Sequence, residues 1–501
     1  MRIAATISRL WRNSWYVAIV IGLLYALRLL YSGLGAYSDS YDSGVYLESA
    51  RMMVRGYAPY GQVFDSQPPL WLPLIYAALR LFGETFLAGQ LVTTTAGLIT
   101  IVAVMLIATQ LGSRGGSILA ATLVILSPLE LQWSRTINAD VPSVALAAAG
   151  IALAAGYARH GHRGWLAAAS AATICSILLK LSGIYALPSL ILFAIARWTH
   201  AQDISQRQRL RFIALDIIII FAVFAAITLL SLSSYKFDQV WHQVITFHLA
   251  ARRVYPSVPL DDRWHTLMRL MIGERLLVLT APLAGLCMLG GIEGVALFAW
   301  PFVTFLGLLN HLPLFDHHLI AIIPALAAAI GVGAGYSCVL YAVFVRWLAA
   351  QAHSIRIIGW ASCAGAGLVI LGAGVRQVCL ETSRELSFIR SQALPSPDLR
   401  IAELIIEHTR PGEMIITDAQ GIAFLAGRDV PPALTDTSFT RIATGYLRPQ
   451  EVIDQARQYN VRLVLCWTQR FSSMPEVVRW AGKHFPRRID LGPGRTLYML
   501  E

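Results

Sequence analysis

Charge is scarce in this chain. Of its 501 residues, 14% are Asp, Glu, Lys or Arg, against about 25% in a typical soluble domain. That excludes an ordinary cytosolic enzyme and a disordered chain. Lysine is nearly missing: only Lys180, Lys236 and Lys483 occur, and the other 37 basic residues are arginine. The formal net charge is +11, but the arginines fall as short clusters between apolar runs and not on one face, so no nucleic-acid partner is implied. The six cysteines show no CxxC or His/Cys spacing, which excludes a zinc ribbon and a disulfide framework. Apolar residues make up 56% of the chain. Their long runs indicate a polytopic α-helical membrane protein.

A spanning helix needs roughly 20 mostly apolar residues. Candidates lie near 14–34, 86–110, 116–133, 140–158, 164–179, 182–198, 212–233, 274–290, 293–310, 317–345 and 355–376, about eleven in all. The first has no small-residue cleavage site after it and is not a removable signal. Arginines orient the spans. Arg2, Arg9 and Arg12 precede the first span; Arg114, Arg159, Arg163, Arg197, Arg207, Arg209, Arg211, Arg346 and Arg356 fall in alternate loops. These loops and the N-terminus are expected in the cytoplasm. Segments 35–85, 134–139, 234–273 and 311–316 and the C-terminal tail are expected outside.

Within the first outer loop, 35–85, the stretches GVYLESARMMVRG (44–56) and LWLPLIYAALRLF (70–82) carry apolar residues at helical spacing. Both predict interfacial helices on the outer membrane surface. A membrane domain is expected over 1–394. From 395 to 501 helical patterns alternate with the strand-like EMIITD (413–418), RLVLCW (462–467) and LYML after the turn LGPGRT (491–496). This predicts a small extracytoplasmic α/β domain. It has no GxGxxG after its first strand, so no nucleotide is assigned.

Ionisable groups at a bilayer boundary are the first candidates for function. Asp39 and Asp42 follow the first span. Glu130, Arg135 and Asp140 bracket the next outer turn, and Lys180 stands between two apolar segments. His242, His248, Arg252, Arg253, Arg263 and His265 occupy 234–273, and Asp316, His317 and His318 precede the tenth span. On the expected topology all share one face. Carboxylates and cations at that depth suit sugar transfer from a polyprenyl phosphate. The acceptor hydroxyl needs a base, and the departing phosphate needs cations. Outside the cytoplasm a lipid carrier is favoured over a soluble nucleotide donor.

The run from Asp42 to Glu84, DSGVYLESARMMVRGYAPYGQVFDSQPPL and then LFGE, resembles the first extracytoplasmic loop of bacterial glycosyltransferase family 39. That family lies within the GT-C integral-membrane glycosyltransferases, with protein O-mannosyltransferases and the aminoarabinose transferase of lipid A. Asn138-Ala139-Asp140-Val141-Pro142, Leu179-Lys180, His317-His318-Leu319 with Pro324, and AFLAGRDVPPALTDTSFTRIATGYL (423–447) extend the likeness along most of the chain. The resemblance implies a bacterial cytoplasmic (inner) membrane location, a polyprenyl-phosphate sugar donor, inversion by direct displacement, and an acidic base in the first loop at Asp42. It leaves the acceptor open among glycolipid, glycan and protein. The family often has two adjacent acids there. Here the second is Ser43, which leaves Asp39 as the candidate second acid and a divalent metal undecided. Lys180, Arg135, Asp140, His317, His318 and Arg253 are the candidates for holding the donor phosphate and sugar.

Each residue also has a plainer reading. Asp42 and Asp140 could cap helices. Arg135 and Lys180 could snorkel to the interface, and Arg252 and Arg253 could meet lipid headgroups. The histidines could form a polar collar, and Asp65 with Pro68-Pro69 could shape the loop. The rival function is a transporter or flippase for a lipid-linked or polar substrate, but the chain shows no internal repeat, and its ionisable groups collect at one face and not at the midplane.

Overall fold

In the computed structural model, residues 14–349 and 396–500 are described apart from 32–33, 36, 38–39, 200, 202–203 and 256–257, together with parts of 362–387. Helices dominate. Six are long and apolar enough to cross a membrane: Phe86–Leu111, Asp140–His160, Leu181–Thr199, Gln206–Leu232, Ile292–Leu309 and Asp316–Tyr341. The number rises to eight if each of two bent pairs counts as one span. Five of the eleven expected runs are not among these six, which are those of the described residues; one of the five, 14–34, forms the helix Ser14–Tyr31. The apolar run 116–133 is two helices, Arg114–Ile125 and Pro128–Ser134, bent by 62°; Ser127 caps the second and Pro128 opens it, where a proline lacks no needed N–H. The run 164–179 is a 17-residue helix that stops at Lys180. The run 274–290 begins as Arg275–Leu286 and turns by 112° from Leu260–Met271. The eleventh expected span, 355–376, lies largely outside the described residues.

Asp140–His160 runs through the middle of the bundle. Its alanines and glycines (Ala145, Ala148, Ala152, Ala155) are buried, so neighbouring backbones come close, as small residues allow between membrane helices. Gln206–Leu232 lies at the periphery, with only Asp216 and Ile220 buried. Asp216 accepts hydrogen bonds from Tyr157, from Trp198 at 2.6 Å and from Arg163 at 3.2 Å. A buried carboxylate this well supplied ties the outer helix to the bundle.

The two first-loop helices form where the spacing places them, as Tyr41–Val54 and Trp71–Phe82. The first is covered by other parts of the chain. Gly44, Leu47, Glu48, Ala50, Arg51 and Met52 are all buried, because the C-terminal unit covers the helix. A Cβ on Gly44 would stand 2.3 Å from the Gly421 nitrogen, so only glycine permits this crossing. Glu48 accepts from the Val430 N–H at 3.0 Å and from Arg51 at 3.2 Å. Arg51 also reaches Glu84 at 3.1 Å and the Phe424 carbonyl at 3.0 Å, with its guanidinium 3.8 Å from the Phe424 ring centre. Arg55 joins Glu84 at 2.7 Å and Asp429 at 3.0 Å.

The C-terminal unit has the expected alternation plus one strand. The strands β1 (Ile416–Thr417), β2 (Leu463–Cys466), β3 (Arg487–Gly492) and β4 (Arg495–Met499) form one sheet in the order β1-β2-β4-β3. β1 and β2 are parallel, with Pro449–Gln458 in their crossover, and β4 is antiparallel to both β2 and β3. The segment LGPGRT is the β3–β4 hairpin turn, with Gly494 at φ +71°, which glycine adopts without strain.

Candidate active site

Five separate parts of the chain enclose a cavity of about 560 Å³. The first-loop helix contributes Tyr41, Asp42 and Tyr46, and the following loop Asp65 and Gln67. Lys180 enters from the break between two membrane helices. His248 and Arg252 come from the helix Phe247–Val254, His311 from the turn before Asp316–Tyr341, His317 and His318 from the first residues of that span, and Asp436, Ser438 and Thr440 from the C-terminal unit.

Asp42 is not a cap. The helix begins at Tyr41 after Ser40, which puts Asp42 inside the first turn. Burial raises its carboxyl above the usual carboxylate range, while the charges of His317 and Lys180 pull it back down. Asp140 does not cap either: Asn138 accepts from the Val141 N–H at 3.0 Å and does that work. Asp140 instead meets the Lys180 ammonium at 2.5 Å. Lys180 is extended between Arg163–Leu179 and the 3₁₀ turn Leu181–Ala186, so the break in the helix projects the amine into the cavity.

The histidines form a compact group. The ring centres of His311 and His318, and of His317 and His318, are 4.1 Å apart. His318 Nδ1 accepts from the Phe315 N–H at 3.1 Å, and Asp316 accepts from the His317 N–H at 2.9 Å. Burial lowers His311 to about 4, with Lys180 adding to the effect, and burial lowers His248 as well. Among the described residues no three His, Cys, Asp or Glu side chains are placed to hold a metal ion together.

Asp42, Lys180, His317 and His318 therefore come together as expected, with Asp140 behind Lys180. Asp140 itself does not line the cavity, and two further candidates do not reach it. Arg135 ends the Pro128–Ser134 helix and is absent from the lining. Arg253 is exposed and its neighbour Arg252 lines the cavity in its place. On the Phe247–Val254 helix, His248, Ala251 and Arg252, with Tyr255 beyond the end, repeat at the spacing of one face, and Arg253 is turned away from it. Asp39 lies outside the described residues.

Two more acids line the cavity: Asp436, which the sequence did not single out, and Asp65, which it assigned to shaping the loop. Asp436 accepts from the Tyr41 hydroxyl at 3.3 Å, a contact spanning 395 positions, with no local signal. Asp65 is 4% exposed. Its Oδ1 accepts from the Gln67 N–H at 2.9 Å, whereas Oδ2 is buried without a partner. Burial pushes this carboxyl up to about 8, so it is a neutral hydrogen-bond donor at neutral pH. The folded state thus holds a proton that the unfolded chain releases near pH 4, and stability falls as pH rises from about 4 to about 8. Asp65→Asn removes that loss. Its thermal midpoint in detergent should gain several degrees on the parent between pH 6 and pH 9, each unit being worth at most about 1.4 kcal/mol. Parallel pH profiles would show that Asp65 is ionised throughout.

Comparisons with known proteins bear on the fold. A family model described as dolichyl-phosphate-mannose-protein mannosyltransferase matches residues 66–229, a stretch that contains Asp140 and Lys180. No curated protein sequence matches the chain. Among solved structures, ArnT from Cupriavidus metallidurans in the apo state is 14% identical, with 98% of each chain covered and a TM-score of 0.64. ArnT bound to undecaprenyl phosphate is 15% identical over the same shares, with a TM-score of 0.66. AglB from Archaeoglobus fulgidus, in complex with an inhibitory peptide and a dolichol-phosphate, is 13% identical, covers 97% of this chain and 74% of its own, and has a TM-score of 0.54. The chain has the GT-C glycosyltransferase fold, and the resemblance read from its first loop stands.

Proposed function

We propose that the protein moves a sugar from a polyprenyl-phosphate donor to an acceptor hydroxyl, with inversion, at the outer face of a bacterial cytoplasmic membrane. The N-terminus would lie in the cytoplasm and the unit after residue 395 outside. The observation that carries this reading is the cavity itself. One carboxylate on a first-loop helix, Asp42, faces a group of cationic and proton-bearing side chains, Lys180, Arg252 and His311, His317 and His318, in a fold shared with a protein captured on undecaprenyl phosphate.

The chemistry follows from that separation of charge. Asp42 takes the acceptor proton as the acceptor oxygen attacks the anomeric carbon. The bond from that carbon to the phosphate oxygen breaks, and the phosphate leaves with the electron pair. Lys180 and the histidines offer donors to the charge that grows there. Attack from the side opposite the leaving group inverts the anomeric centre.

Purified protein in lipid, incubated with a panel of polyprenyl-phosphate sugars, should release free polyprenyl phosphate from at least one donor in the presence of an acceptor. Release from none of them by folded protein would move the reading toward transport. Lys180→Ala should weaken donor binding about 10–100-fold, the loss of one or two charge-assisted hydrogen bonds, with acceptor affinity little changed. The Lys180→Ala, Asp140→Asn double variant, which orphans no carboxylate, should show the same loss. Unchanged apparent donor affinity in both would remove Lys180 from the phosphate site.

A further inference from the structure

Tyr41 is a wall between two cavities. One side of it borders the cavity described above; the other borders a second, of about 330 Å³, between the first loop and the C-terminal unit. Its lining includes Ser40, Gln420, Trp467, Thr468, Arg470, Arg495 and one acid, Asp398. Its volume is that of a small ligand site.

The loop that builds it is held rigidly. Asp418 is fully buried and accepts four backbone N–H groups: Trp467 and Thr468 at 2.7 and 3.1 Å, and Arg470 and Phe471 at 2.9 and 3.2 Å. This fixes where Arg470 and Trp467 point. The Arg470 guanidinium lies 3.5 Å from the Tyr41 ring centre and 4.8 Å from that of Phe439. Arg495 lies 4.1 Å from the centre of Trp467. Stacked guanidinium groups keep their N–H edges free for an anion. Neither arginine makes an ion pair among the described residues. The one acid in the lining, Asp398, has both carboxylate oxygens engaged, by the Tyr37 hydroxyl at 2.6 Å and the Trp467 indole N–H at 2.8 Å. Two polar atoms in the wall are buried without partners, Arg470 Nε and Gln420 Oε1. Gln420 has committed its amide nitrogen to Thr437 at 2.9 Å and Leu434 at 3.1 Å, so its oxygen can only accept. Orphaned buried groups of this kind cost free energy unless something pairs with them.

We propose that this second cavity binds the anionic part, carboxylate or phosphate, of a saccharide acceptor. Arg470 and Arg495 would hold the charge, and Gln420, Ser40 and Thr468 the hydroxyls. Tyr41 alone stands between a saccharide anchored there and the cavity that holds Asp42. The choice of a saccharide rests on the transferase reading above.

The test reads binding without turnover, so the two readings can fail separately. The full-length protein in lipid nanodiscs is titrated by calorimetry with a uronic-acid disaccharide, a sugar monophosphate, a neutral disaccharide and inorganic phosphate, with no donor present. Both acidic saccharides should bind at least tenfold more tightly than the neutral one and than phosphate alone, and the tighter of the two identifies the anion. Arg495→Gln, at an exposed position that cannot disturb folding, should weaken that binding at least tenfold, as should Arg470→Gln. Equal binding of acidic and neutral saccharides, phosphate binding as tightly as either, or an unchanged affinity in Arg495→Gln would overturn the proposal.

Discussion

Replacing Asp42 with asparagine is expected to slow sugar transfer by about 10²–10⁴-fold, the range that a positioned general base contributes, while the protein stays folded and still binds donor. The substitution keeps the shape and removes only the proton acceptor. Asp42 caps nothing, so the helix it starts does not depend on it. The pH profile gives an independent check. Burial raises the Asp42 carboxyl, and a base works only when ionised. The rate should therefore fall as pH drops through a value above the usual carboxylate range, and this acid limb should vanish from the residual activity of Asp42→Asn. Near-normal turnover in that variant would move the base elsewhere, with Asp436 the next carboxylate in the same cavity.

Arg51→Ala should destabilise the protein by about 3–5 kcal/mol, the usual cost of removing one member of a buried ion pair. Arg51 is 3% exposed and joins Glu48, Glu84 and the Phe424 carbonyl. Without it the wholly buried Glu48 keeps only the Val430 N–H. Burial already holds Glu48 up near 7, with Arg51 pulling it down, and in the variant it rises further. Acid then relieves the defect by protonating Glu48: the loss of thermal midpoint should be largest above pH 7 and shrink toward pH 5. Arg51→Lys, which keeps the charge but cannot serve three acceptors in one plane, should fall between. Proteolysis of the 396–500 region should quicken in Arg51→Ala. A deficit that does not change with pH would mean that Glu48 is not the charge left behind.

The parts of this molecule set by local pattern were readable from the chain alone. Helical spacing in 44–56 and 70–82 located both first-loop helices, and the alternation after 395 located three of four strands. The fourth, Arg487–Gly492, opens on two arginines and leaves its residues exposed or half-buried, so it has no apolar alternation to detect. Lys180 stood out because an isolated amine between apolar runs is costly. Arg253 was chosen over Arg252 because the sequence gives no phase for an eight-residue helix. Hydropathy sums apolar length and so did not show the bend before Pro128. Asp436 could not be found from local sequence at all, since its place beside Tyr41 depends on a contact across almost the whole chain.

That same contact orders events during synthesis. The helix that bears Asp42 is among the first segments to leave the ribosome, yet Gly421, Val430 and Thr437 complete its surroundings, the last of these 396 positions later. A chain arrested midway has Lys180 and the base but no far wall for the cavity. Only when residues 420–440 arrive does the pocket close, so a truncated product would carry Asp42 and Lys180 without the enclosure that, on the proposed function, keeps water from the donor.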